Sequence, residues 1–350
     1  MGAVDERKRA ILCAVVDEYI RTGEPVGSKA VLSCIGMNVS SATIRNDMAF
    51  LERAGLLEQP HTSAGRVPTY QGYRYYIDHL MCPKPLSAKE KRMIDELLSH
   101  NDATADAIVE NAITVMSEMT NLAVVARSSA PSFSVITRVE VIPAGRRVYA
   151  LLMITSSGTI KNKICRIAFD LTNEQIAFFE QFINDNLTGL NLDAVTPERL
   201  TELAVALGSY MVSLSPLLNA VYELSEEISH TQVHLHGEQN LLTSAMLRAD
   251  EVVQLLAHKN ELEALLSGAF DGISVVFGQE DESFAVTNSS MILSPFKAGG
   301  QRVASFGVIG PVRVDYAQVI PHIKYITDSV NRLLEAAMEP DDEDGKGRSF

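Results

Sequence analysis

No run of about 18 apolar residues occurs in this 350-residue chain, so no membrane-spanning helix is expected. The N-terminus is charged and then amphipathic, which is not the pattern of a secretory signal. Cysteine is scarce. Cys13, Cys34, Cys82 and Cys165 are scattered without C-x-x-C spacing. That argues against a disulfide framework or a cysteine-based metal site, and for free thiols in a reducing cytosol. There is no P-loop, no G-x-G-x-x-G after a strand and no G-x-S-x-G, so catalytic and cofactor signals are lacking. The expectation is a cytoplasmic protein that is not an enzyme and needs no cofactor. Positive charge is also short: 30 Lys+Arg against 44 Asp+Glu give a net charge of −14.

What is present is an ordered set of helix and turn signals near the N-terminus. Glu6 to Ile20 carries an apolar stripe of Ile11, Leu12, Val15, Val16, Tyr19 and Ile20. Thr22-Gly23-Glu24-Pro25 stops it. Ser28 caps a short helix from Lys29 to Ser33, and Cys34 to Val39 is a turn containing Gly36. Ser40 or Ser41 caps a third helix, in which Ile44, Met48 and Leu51 share one face. The opposite face carries Ala42, Arg45 and Asn46, small or hydrogen-bonding groups in the first two turns. Gly55 ends the helix. Leu56 to Pro60 and Val67 to Thr69 then read as a short ribbon around His61-Thr62-Ser63-Ala64-Gly65-Arg66, with Gly65 expected at φ > 0. Three helices and a small ribbon with a basic tip form the layout of a winged helix-turn-helix. Its third helix would enter the major groove, where Arg forks onto guanine and Asn onto adenine.

The acidic balance does not contradict this. Residues 1–85 hold ten Lys+Arg and nine Asp+Glu, and the remainder holds 20 and 35. The head is nearly neutral, and Arg45, Arg53, Arg66 and Arg74 can form a local basic face. The acidic body would repel DNA elsewhere. Beyond the ribbon, Thr69 caps a helix whose Tyr73, Tyr76, Ile77 and Leu80 are expected to pack the head rather than stack on bases. Pro83 and Pro85 mark a linker.

The rest reads as an interrupted α+β body. Helices are expected over Ser87–Ser99 and Ala103–Thr120, then a buried strand from Leu122 to Ala126. Three strands, Ser134–Ile142, Val148–Thr155 and Ile160–Phe169, read as consecutive hairpins. Helices follow over Asn173–Asn186, Pro197–Met211 and on to about Ser229. Leu241 to Met246 reads as extended. Helices over Asp250–Ala257 and Asn260–Ser267 follow, then strands Ile273–Phe277, Met291–Phe296 and Val303–Ile309, and a closing helix from Tyr316 to about Ala337. The host is sensor-like, and the interval from near Val124 to near Leu241 is an insertion. His230, His234 and His236 raise the question of a metal on a helix face, but no partner has ligand-like spacing, so no metal is expected. Asp341-Asp342-Glu343-Asp344 reads as a disordered acidic tail.

The runs AVVDEYIRTGEPVGSK, VSSATIRNDMAFLE, QPHTSAGRVPT and GPVRVDYAQVIPHIKY resemble the heat-inducible transcription repressor HrcA family over nearly the whole chain. Val314 stands where the family's GP-x-R-M-x-Y pattern has Met, an apolar swap of similar size. The resemblance implies a winged-helix domain over 1–82, a GAF-like domain over 86–130 and 238–338, an inserted dimerisation domain over 131–237, and a tail over 339–350. It implies a homodimer on an inverted-repeat operator, the CIRCE element of chaperone operons, with the active form maintained by the chaperonin GroEL. The residues expected at DNA are Ser40, Ser41, Ala42, Thr43, Arg45 and Asn46 on the third helix, and His61, Thr62 and Arg66 on the wing. Two rivals are a repressor sensing a small effector in the GAF-like domain, and an enzyme or partner-binding body with a vestigial DNA domain.

Overall fold

The computed structural model describes residues 5–338, apart from 62–63, 100–104, 129–134, 209–210, 230–231, 258–261, 269, 279, 281–283 and 285. It is a mixed α+β multidomain chain whose strands, among the described residues, form three sheets.

The N-terminal head begins with α1 (Glu6–Thr22), α2 (Ser28–Ile35) and α3 (Ser41–Arg53). Each has a local reason to start or stop. Asp5 accepts from the Lys8 N–H at the start of α1, and Ser40 accepts from the Thr43 N–H at the start of α3. Such caps satisfy N–H groups that the first turn leaves without a partner. Gly23 and Gly36 end the first two helices in the left-handed region. The ribbon is β1 (Leu57–Glu58) paired antiparallel with β2 (Val67–Pro68), and α4 (Tyr70–His79) follows, capped by Thr69. Ile11, Leu12, Val15, Val16, Val31, Ile44, Leu51 and Tyr73 are buried together, the stripe expected from periodicity.

The body is built on a five-stranded antiparallel sheet in the order β7-β3-β10-β9-β8. Its strands are β3 (Ala123–Ser128), β7 (Gln232–His236), β8 (Ser274–Phe277), β9 (Ser289–Ala298) and β10 (Gln301–Pro311). Side-chain alternation splits two cores across it. Val124, Ala126, Ile292, Phe296, Phe306 and Val308 face the side covered by α5 (Ala88–Leu98), α6 (Ala105–Thr120) and α13 (Tyr316–Met338). Ala123, Val125, Met291, Leu293 and Ile309 face the other side, under α10 (Glu238–Leu242), α11 (Ala249–Ala257) and α12 (Glu263–Ser267). With both faces covered, β9 and β10 are buried nearly throughout, with serines the main polar residues among apolar ones.

Between β3 and β7 the chain makes a separate unit with its own core. Strands β4 (Ile136–Gly145), β5 (Val148–Thr155) and β6 (Ile160–Arg166) form an antiparallel meander. One face packs on α7 (Asn173–Leu187), α8 (Pro197–Leu207) and α9 (Met211–Ser229). Helix α7 also closes the free edge of β4. Asn184 accepts from the Val139 N–H at 2.9 Å and donates to its carbonyl at 2.8 Å, and Glu180 accepts from the Val141 N–H at 2.7 Å. These side chains satisfy the groups that an edge strand would otherwise expose.

One strand lies elsewhere than the sequence pattern predicts. The strand expected over Leu241–Met246 lies at Gln232–His236, and Glu238–Leu242 is helical. Gly237, at φ 78°, turns the chain out of the sheet between them. Val233 and Leu235 alternate with His234 and His236, the period of a strand, so these histidines lie on β7 and not on a helix face. His230, Thr62 and the tail fall outside the described residues, as do Ala103, Phe133, Ser134 and Asn260, where expected elements began or ended.

The head docks on the body through α4. Tyr70 stacks on Phe277 at 5.3 Å between ring centroids, and Tyr73 lies 6.0 Å from Tyr316. Arg74, one of the four arginines considered for a basic face, pairs instead with Glu280 at 2.7 Å and donates to the Val275 carbonyl. Lys84 pairs with Asp315 at 2.6 Å, and the Arg313 guanidinium lies over the Tyr19 ring.

Candidate nucleic-acid interface

Helix α3 buries Ile44, Asp47, Met48 and Leu51 and turns Ala42, Arg45 and Asn46 to solvent. The buried face fixes the helix and the polar face is exposed. Of the two candidate caps, Ser40 holds the helix N-terminus. Its hydroxyl accepts from the Thr43 N–H at 3.1 Å and contacts Thr43 Oγ1 at 2.9 Å. Ser41 instead hydrogen-bonds Ser28 Oγ at 2.9 Å. Ser28 in turn accepts from Arg45 Nε at 3.3 Å. Arg45 is therefore exposed, yet its guanidinium is steadied by the start of α2.

Asp47 is the one charged group on the buried face, only 6% exposed. It takes two hydrogen bonds from Arg7, at 2.7 and 3.3 Å, with Lys8 Nζ 3.9 Å away. This ties the start of α1 to the middle of α3. A buried carboxylate without such partners would carry a large desolvation cost. The sequence reading missed this pair. Its one signal was an acidic residue at i+3 from Ile44, on the apolar stripe.

The ribbon lies beside α3 and is tied to α2 by a third segment. Val26 and Arg66 exchange both backbone hydrogen bonds at 2.9 Å. Gly65 was expected to supply a left-handed turn, and it does not. Its φ lies outside that region, and a Cβ there would collide with the Val26 carbonyl. Glycine is needed for close approach of two backbones, not for turn handedness. Gly55 does adopt the left-handed conformation, at φ 75°. His61 is exposed, and Arg66 is half-buried against Glu52 with Nη2 2.9 Å from Oε2. Between α3 and the ribbon is a cleft of about 550 Å³ whose walls include Ser28, Lys29, Arg45, Gln59 and Arg66. The structure thus brings Arg45 and Arg66 around one cleft together with Ser28 and Lys29. Ser28, expected only as the cap of α2, is instead its first residue, with Gly27 at the N-cap, and its hydroxyl serves Ser41 and Arg45. Arg53 is exposed.

Among the described residues, no group of three or more His, Cys, Asp or Glu is placed to hold a metal ion. No helix of the described residues is long and apolar enough to cross a membrane.

Comparison with known proteins places the chain among transcription repressors. The family model described as the HrcA protein C-terminal domain matches residues 106–320. The heat-inducible transcription repressor HrcA of Acetivibrio thermocellus is 33% identical over 345 residues, covering 97% of this chain and 98% of that protein. HrcA of Desulforudis audaxviator is 32% identical, covering 95% and 98%. This chain belongs to the HrcA family of heat-inducible transcription repressors. A crystal structure described as that of a hypothetical protein shares the fold, with a TM-score of 0.65 and 23% identity over 96% of this chain and 100% of the other.

Proposed function

We propose that the head is a winged helix-turn-helix and that α3 reads base edges in the major groove of an inverted-repeat operator, the CIRCE element of chaperone operons. The observation that carries this is the exposed Ala42-Arg45-Asn46 face beside a cleft shared with the ribbon. Arg45 and Asn46 are assigned to base edges, where each bidentate pair discriminates by about 1–3 kcal/mol. Ser40, Ser41, Ala42 and Thr43 line the approach of α3 to the backbone. His61, Thr62 and Arg66 place the wing on the backbone or in the minor groove. Bound protein represses by occupying the promoter.

The body would be GAF-like, with β7 on the host side of the sheet, and the unit from β4 to α9 would be the dimerisation domain. The face of that meander turned away from its helices supports the assignment. Ile142, Ile160 and Ile164 are 46, 59 and 61% exposed there, around Ala150 and Ile154 on the central strand. That face also carries Arg138, Glu140 and Asn162 beside Leu152 and Ile154, so exposed apolar groups alternate with polar ones. Such a mixed face suits a two-fold contact, and a two-fold protein matches a palindromic site.

Maintenance of the active form by the chaperonin GroEL, in the cytoplasm, fits the same topology. Strands β3 and β7 are hydrogen-bonded neighbours separated by the whole inserted unit. Closing such a long loop before the strands pair slows folding and prolongs exposure of apolar surface. Heat would divert the chaperonin to other clients, lower active repressor and release chaperone genes. The test is operator titration with and without chaperonin and ATP. The stoichiometric end-point is expected to rise while the midpoint of a dilute titration stays put. A shifted midpoint with an unchanged end-point would make the chaperonin a co-repressor, not a folding aid.

A further inference from the structure

A second cavity, of about 440 Å³, lies in the body at the ends of β3 and β10, between the C-terminus of α6, helix α10 and the first turns of α13. Its volume falls within the roughly 300–1,000 Å³ of small-molecule sites. The floor is apolar and buried: Ala123 and Ile309 are fully enclosed and Leu241 is 2% exposed. The mouth is open, with Asn121, Thr243 and Gln318 exposed around it.

The chemistry of the lining is selective. Asn121, Asn240 and Gln318 contribute three primary amides, each an NH2 donor and a carbonyl acceptor, with one N–H of Asn240 directed at the Leu122 carbonyl at 3.4 Å. That set matches the edge of a heterocycle on which donors and acceptors alternate, as a side-chain amide matches adenine. The lining includes no Lys or Arg. Its one carboxylate, Asp315, is held by Lys84 at 2.6 Å. The one basic group of the lining, His322, is buried with Nδ1 2.7 Å from the Gln318 carbonyl and Nε2 3.4 Å from Glu90, and Lys84 at the rim is already held by Asp315. A phosphate would have to displace one of these pairs, so an uncharged ring is favoured over a nucleotide. The segment from Arg313 to Tyr316, whose Val314 and Asp315 line the cavity, also carries anchors of the head on the body.

We propose that this cavity is a binding site for a nucleobase or nucleoside without phosphate. The site does not depend on the DNA-binding reading of the head. The test is isothermal titration calorimetry on the full chain with adenosine, guanosine, cytidine and thymidine, and with the 5′-monophosphate of each. At least one nucleoside is expected to bind at one per chain, with its monophosphate no tighter. Gln318→Trp fills the mouth from an exposed position, and Asn240→Leu removes an amide from the wall; each is expected to weaken binding tenfold or more. Because residue 318 lies outside the core, Gln318→Trp keeps the test valid even where Asn240→Leu impairs folding. The proposal is overturned if none of the four nucleosides binds at millimolar concentration, if Gln318→Trp leaves affinity unchanged, or if a monophosphate binds tenfold tighter than its nucleoside.

Discussion

Arg66 of the ribbon rests on Glu52 of α3, with Nη2 2.9 Å and Nε 3.1 Å from Oε2. The Arg66 side chain is 18% exposed and that of Glu52 35%, so solvent and salt reach the pair. Such a pair contributes about 0–1 kcal/mol to stability, and a DNA phosphate competes for the same guanidinium. Glu52→Gln should free Arg66, strengthen binding to operator and random DNA alike, and steepen the salt dependence by about one unit of slope. Arg66→Ala should do the reverse. Salt titrations with unchanged slopes in both variants would take Arg66 off the phosphate backbone.

Specificity is expected to sit one face away. Arg45→Ala or Asn46→Ala should cost about 1–3 kcal/mol on operator and relax preference at one or two base pairs of each half-site. Ser28→Ala, which removes the hydroxyl steadying Arg45, should relax the same base pairs by a smaller amount. Competition binding against single-base operator variants measures this. Equal losses on operator and random DNA would reverse the assigned orientation of α3.

Gly65→Ala tests the close approach of the ribbon to Val26. The added methyl has no room against the Val26 carbonyl, so the paired backbones must separate. Overpacking of this kind costs about 1–3 kcal/mol. Operator affinity should fall along with thermal stability. An unchanged melting temperature would mean that the ribbon moves freely relative to α2.

The exposed face of the β4–β6 meander predicts the oligomeric state. Ile164→Glu places a charge opposite Ala150 of the central strand, where Ile164 is now 61% exposed. Sedimentation of the variant should show monomer, and operator affinity should drop toward that of a half-site. A dimer of undiminished strength would move the interface to another surface.

The cysteines divide by environment. Burial, reinforced by the Asp17 carboxylate beside it, pushes the Cys13 thiol up to about 12. Burial also raises Cys165. Because the thiolate is the reactive form, both should stay protonated and slow at neutral pH. Cys34 and Cys82 are exposed. A disulfide reagent at neutral pH should modify two thiols per chain quickly and the other two only on unfolding. Raising the pH toward 12 should bring Cys13 into reaction while the fold persists.

Much of this structure was legible because its causes are local. Ser40, Thr69, Ser87 and Thr172 cap helices using backbone groups within three residues. The stripe of Ile44, Met48 and Leu51 and the exposed Arg45-Asn46 face follow from helical period alone. The resemblance to HrcA was legible for another reason: contiguous runs of residues carry it. Strand β7 was not legible, because a five-residue strand owes its place to β3, more than a hundred positions earlier in the chain. Likewise Arg74 could not be told from a DNA-facing arginine until Glu280 and Phe277 arrived beside it. Gly65 was read as a turn residue because the backbone it must approach, at Val26, lies far back in the chain. Propensity, capping and amphipathicity are properties of neighbouring residues, and the sequence by itself determined them. Pairing register, close backbone approach and the partner of each charge are set by segments that meet only on folding, and the tertiary structure decided those.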